Sequence, residues 1–164
     1  IEMTKFKNKI SASTFICNDF DNQSGQMTID DIIYVDDDLS ASFTLFTVVN
    51  VYADLAEGKW PVNNVNIYGF LRENKVKDFN VAYLGKFTVS PEEKETAENF
   101  LSYKHRHTYT FDNFYFPNTG DYVAEIFVEK PNTNLDEITY ESVYKNCDVL
   151  DIINFDVQIK AKKI

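Results

Sequence analysis

Chemistry in this chain would have to come from its carboxylates, its two histidines, its two cysteines or its single tryptophan. Asp19, Asp21 and Gln23, with Asp30 eleven residues after Asp19, come close to a calcium loop with oxygen ligands at alternate positions. The fit fails where the loop must turn sharply, since Ser24 holds the sixth place and Gly25 comes one residue late. A different all-oxygen site remains open if the Asp19/Asp21 loop meets the run Asp36-Asp37-Asp38, and calcium on Asp19, Asp21, Asp36 and Asp38 is one reading. His105 and His107 are the only histidines and share one face of a predicted strand. Such a pair can hold zinc only with further ligands, and no third nitrogen or sulfur stands nearby, so a partly exposed pair between Lys104 and Arg106 is expected.

Hydrolytic machinery is missing from the pattern. The chain has no nucleophile elbow, phosphate loop or metalloprotease helix, and abundant acids are not the same as two acids held at a working separation. The expectation is therefore a non-catalytic binding module with no cofactor. Trp60, in the turn Glu57-Gly58-Lys59-Trp60-Pro61, either offers a ring to a ligand or plugs one end of the fold. A sugar-binding platform could also draw on Tyr52, Tyr68 and Tyr83.

Charge narrows the partner. The 164 residues carry a formal charge of −10, and from Ile10 to Gly58 there is no Lys or Arg against nine acids. Phosphate backbones are repelled by such a field, so nucleic acid is not expected. A basic protein meeting Asp19, Asp21, Asp36, Asp37, Asp38 and Trp60 is the expected partner, with a calcium-binding domain and a carbohydrate-binding module as alternatives. No apolar run nears the ~20 residues of a membrane span, and Ile1 to Ile10 contain three lysines and no apolar signal core. A cytoplasmic protein is the resulting expectation, unless a leader was trimmed before Ile1.

The elements that must position these residues are strands. Ile153, Phe155, Val157, Ile159 and Ala161 alternate with polar residues, as do Tyr122, Ala124, Ile126 and Val128 with their neighbours. Phe43 to Tyr52 is apolar on both parities, which predicts a central strand covered on both sides. Ser13 to Cys17, Met27 to Tyr34, Val65 to Leu71, Phe79 to Leu84 and Tyr103 to Phe111 complete the set, and Tyr140 to Tyr144 reads as a short addition. The spacing predicts a single all-β domain over 1–164, an antiparallel two-sheet sandwich of immunoglobulin-like character. One short helix or insertion is expected near 90–101, with Ser90 as cap and Pro91 at the first position. Cys17 and Cys147 are expected to be buried thiols, a bridge being possible only if the terminal strands pair.

Asn118-x-Gly120-x-Tyr122-x-Ala124 resembles the corner of immunoglobulin-like sandwiches in which a tyrosine bonds back to upstream backbone. Phe15-Ile16-Cys17-Asn18-Asp19, Gly25-Gln26-Met27-Thr28-Ile29 and Phe116-Pro117-Asn118-Thr119-Gly120-Asp121-Tyr122 together resemble a poorly characterised family of small bacterial immunoglobulin-like β-sandwich proteins of unknown function. Its members open with an aromatic-x-Cys-x-Asp strand and a Gly-Lys turn and close on a Pro-Gly-x-Tyr strand. Here Gln26 replaces the lysine, and Asn118-Thr119 separates Pro117 from Gly120. The resemblance implies a fold and no catalytic residue.

Overall fold

The computed structural model describes residues 9–20, 23–24, 27–54, 59–61, 64–91, 101–133 and 135–161. Nine strands and one helix follow in chain order among them: β1 (Ile10–Phe20), β2 (Met27–Ile29), β3 (Ile32–Val35), β4 (Ser40–Tyr52), β5 (Val65–Glu73), β6 (Val81–Val89), β7 (Ser102–Tyr115), β8 (Gly120–Glu129), α1 (Tyr140–Asn146) and β9 (Cys147–Ile159). They build two sheets, one ordered β2-β1-β4-β7 and the other β3-β9-β8-β5-β6. The all-β, two-sheet expectation stands. Among the described residues no helix is long and apolar enough to cross a membrane.

Alternation makes the core. Ile10 and Ile16 of β1, Phe43, Leu45, Val49 and Val51 of β4, and Tyr109 of β7 meet Ile67 and Leu71 of β5, Ala124, Ile126 and Val128 of β8, and Phe155 and Val157 of β9 in one buried cluster. Each such aliphatic side chain contributes roughly 1.5–3 kcal/mol on burial, so the alternating pattern is also the main source of cohesion. Gly69 permits close approach of the sheets: a Cβ there would lie 3.0 Å from the Tyr109 hydroxyl reaching across from β7.

Four expectations are corrected or moved. The sheets are not wholly antiparallel, because β3 runs parallel to β9, Ile32 opposite Asp156 and Val35 opposite Ile159. The predicted strand Met27 to Tyr34 divides at Asp30-Asp31: Asp30 Oδ1 accepts from the Ile32 amide, and the turn it makes sends β2 to one sheet and β3 to the other. Tyr140 to Tyr144 is helix, not strand. Thr139 caps it by accepting from the Ser142 amide at 3.1 Å, Glu141 and Lys145 suit the two ends of its dipole, and Val143 is the buried anchor. The helix or insertion expected near 90–101 falls on 92–100, outside the described residues, and the Ser90 hydroxyl donates to Asn64 Oδ1.

β4 is central, between β1 and β7, but its outward side chains are only half-buried. Cys17 and Cys147 are buried thiols on strands of different sheets and are not bridged to one another.

Candidate functional site

The outward faces of the two sheets carry different side chains. On β1, β4 and β7 the outward positions are in register: Ser11 opposite Asn50 opposite Lys104, Ser13 opposite Val48 opposite Arg106, and Phe15 opposite Phe46 opposite Thr108. Phe15 and Tyr52 are exposed, Phe46, Val48 and Asn50 half-exposed, and Lys104, Arg106, Thr108 and Thr110 exposed. The Tyr52 hydroxyl shares a 3.3 Å hydrogen bond with Ser11 Oγ, which fixes the ring over the sheet end. The result is a pleated surface with aromatic rings set among hydroxyl and amide groups, bordered on β7 by the cations Lys104 and Arg106.

Opposite it, the outward face of the five-stranded sheet is covered. Tyr68, Phe70, Phe127 and Cys147 are buried there against Val143 of α1, with Tyr140, Leu135 and Val149 packed around them. Burial pushes the Tyr68 hydroxyl up to about 12, helped by the Glu129 charge, and the Cys147 thiol up to about 11. Glu125 sits within this layer, 2% exposed. Its Oε1 accepts from Arg72 Nε at 2.5 Å and from the Tyr140 hydroxyl at 2.8 Å, and the Arg72 guanidinium lies 4.7 Å from the centre of the Phe79 ring. Burial alone would lower the Arg72 pKa, but the hydrogen bond and charge of Glu125 leave it raised. The network ties helix to sheet. Sequence alternation places Glu125 on the outward face of its strand, toward water; the clue to its burial was Tyr68, Phe70 and Phe127 on the same face, which needed a cover.

The nominated acids do something local. Asp36 to Asp38 form the exposed turn from β3 to β4, where Asp38 Oδ1 accepts from the Ser40 hydroxyl at 2.6 Å and the Ser40 amide at 3.2 Å. Those two bonds lower the Asp38 pKa. Lys160 and Ala161 complete a shallow depression beside them. Asp19 is paired on β1 with Thr28, and Asp21 falls outside the described residues. Among the described residues no group of three or more His, Cys, Asp or Glu gathers as a metal site would require.

Trp60 is at the other end of the molecule. It packs against the core, edge-on to Tyr103 at 6.4 Å, and Tyr103 is opposite Val51 near the end of β4. Eleven residue steps along β4 separate Val51 from Ser40, roughly 36 Å at ~3.3 Å per residue, so Trp60 and the Asp36 to Asp38 turn do not share one surface. His105 and His107 point inward, half-buried, with the His107 ring stacked 4.1 Å from Phe87. Burial lowers both pKa values, and His105 adds to the effect on His107.

No protein-family model matches the sequence, and no curated protein matches it. A Pseudomonas fluorescens alkylpurine DNA glycosylase, AlkC, solved bound to DNA containing an abasic site analog, is similar in structure over 95% of this chain and 35% of that one, at 9% identity and a TM-score of 0.41. This chain thus spans about a third of that protein. The comparison corrects the expected partner: a similar structure was solved with DNA, so a basic protein partner with nucleic acid excluded no longer stands. At that TM-score the likeness carries no argument about what this chain binds.

Proposed function

We propose that this chain is a non-catalytic binding module of immunoglobulin-like character, and that its ligand is a carbohydrate lying on the outward face of the β2-β1-β4-β7 sheet. The fold half of this reading draws support from Tyr122, at the start of β8, whose hydroxyl donates to the Asn118 carbonyl at 2.6 Å and accepts from the Asn118 amide at 3.3 Å. This geometry resembles the back-bonding corner of immunoglobulin-like sandwiches. The likeness to the small bacterial immunoglobulin-like family is then one of architecture.

The ligand half rests on one observation: Phe15 stands opposite Phe46 on a solvent-facing sheet whose neighbouring outward positions are Ser, Thr and Asn with the exposed Tyr52, beside Val48 and the cations Lys104 and Arg106. A sugar ring has an apolar face and an equatorial girdle of hydroxyls. Aromatic rings meet the first, while hydroxyl and amide side chains exchange hydrogen bonds with the second. The flat face suits an extended polysaccharide better than a small molecule, which would call for a concave site.

Isothermal titration with soluble glucans, xylans and mannans tests the reading. At least one polysaccharide is expected to bind, with affinity falling about tenfold in Phe15→Ala and in Phe46→Ala, a loss of the size expected for one aromatic contact. Absence of binding across the panel, or affinity indifferent to both changes, would overturn it.

A further inference from the structure

Four strands end the two sheets, and three of them are poor templates for another strand. β2 has three residues, β3 has four, and β6 carries a register shift beside Gly85, whose φ is 123°. Short and bulged edges resist pairing with other chains. β7 differs. Ser102 to Phe111 pair with Tyr52 to Phe43 of β4 without a shift, the one irregularity of β7 coming after them at Asp112-Asn113, where Asn113 has a φ of 53°, and among the described residues no strand lies on the other side. The stretch is rich in Tyr and Thr and contains no proline. A straight edge of this length presents unpaired N–H and C=O groups to any strand that can match it.

The charges on the outward row select the match. Cations occupy Lys104 and Arg106, and an acid occupies Asp112. In an antiparallel pairing with a second copy about a two-fold axis at Thr108, Lys104 faces Asp112 of the copy, Arg106 faces Thr110, and Thr108 faces itself. Residues 105–111 then pair with the same residues of the copy inside the unshifted stretch, and the Lys104–Asp112 pair closes it at either end, Asp112 being the first residue past the regular ladder. A two-fold axis at Arg106 would set guanidinium against guanidinium, and parallel in-register pairing would set Lys104 on Lys104; both arrangements are unfavourable. On the inward row His107 meets Tyr109, and His105 meets Phe111.

We propose that this protein self-associates through β7 into a two-fold dimer, joining the four-stranded sheets of two copies into one continuous sheet, with Lys104 and Asp112 setting the register. The pairing uses the strand edge and leaves the outward aromatic face of each copy open, so it is independent of the carbohydrate reading.

Sedimentation equilibrium over a wide concentration range is the test. Wild type is expected to show a concentration-dependent dimer. Lys104→Asp and Asp112→Lys should each weaken it about tenfold or more, since each change places like charges opposite one another twice per dimer. The double variant should restore it, which a structural defect at Asp112, where Ser42 Oγ donates to the carboxylate at 3.1 Å, would not do. Under oxidation, Thr108→Cys should form a covalent dimer and Thr110→Cys should not, the native thiols being buried. A monomer at every concentration, a dimer indifferent to the single reversals, or no recovery in the double variant would overturn the proposal.

Discussion

The two outward faces of this protein begin from the same alternating strand and finish differently. On the β5–β8 side the chain put large apolar residues outward, Tyr68, Phe70 and Phe127, and then supplied a cover in α1. On the β1–β4 side the outward row is Ser, Thr, Asn, Val48, Lys104 and Arg106 with a few rings, and it faces water. The contrast teaches what a buried charge is for in this fold. Glu125 and Arg72 sit under the helix because the Tyr140 hydroxyl and the guanidinium satisfy the carboxylate there, and that geometry fixes where α1 rests.

The comparison can be broken at the covered face. Glu125→Ala leaves the Arg72 guanidinium without its partner in a largely buried place, and thermal unfolding should record a loss of about 3–5 kcal/mol, or roughly 10 °C in Tm. Val48→Ala, at a half-exposed position of the open face, should cost well under half as much. Equal losses would mean that the two faces do not differ in the way argued.

The rim of the covered face sharpens it through pH. Arg72 also donates to the carbonyls of Glu73 and Lys75, holding the turn after β5, and the Glu73 carboxylate there accepts from the Asn80 amide at 2.9 Å and its side chain at 2.6 Å. Those bonds, with Asn118 and Lys75, hold the Glu73 pKa at about 2, below the ordinary 4.5. A depressed folded-state pKa stabilises the fold above the unfolded value and ceases to do so as pH falls through the folded one. Chemical denaturation should therefore show stability falling between about pH 4.5 and about pH 2, with a shallower fall in Glu73→Gln. The smallest effect is at the helix start: Thr139→Ala removes the cap and should cost about 1 kcal/mol in the same assay, without altering polysaccharide binding on the other face.

How much was legible beforehand varies by element. Tyr122 to Val128 and Ile153 to Val157 alternate so regularly that strand and inward face were both readable, and Tyr122 was singled out as a corner tyrosine, but Ile159 is 50% exposed and Ala161 lies past the strand in water. The helix was misread because Tyr140-Glu141-Ser142-Val143-Tyr144 has the composition of a strand. Only the Thr139 cap and an apolar face needing cover make it helical. Asp36 to Asp38 and Trp60 were chosen as residues suited to recognition, although the predicted strand Phe43 to Tyr52 between them already implied opposite ends, as β4 shows.

The order of side chains along each strand determined which residues face the core, because successive residues on extended backbone point to opposite sides. It determined the acidic first third and the lack of a catalytic motif as well. Tertiary structure alone decided that one outward face is roofed and the other bare, that Glu125 is buried rather than wet, and that β7 is left as an edge. Those outcomes depend on which strands become neighbours, and neighbours are chosen by packing between segments distant in the chain, where local alternation has no say.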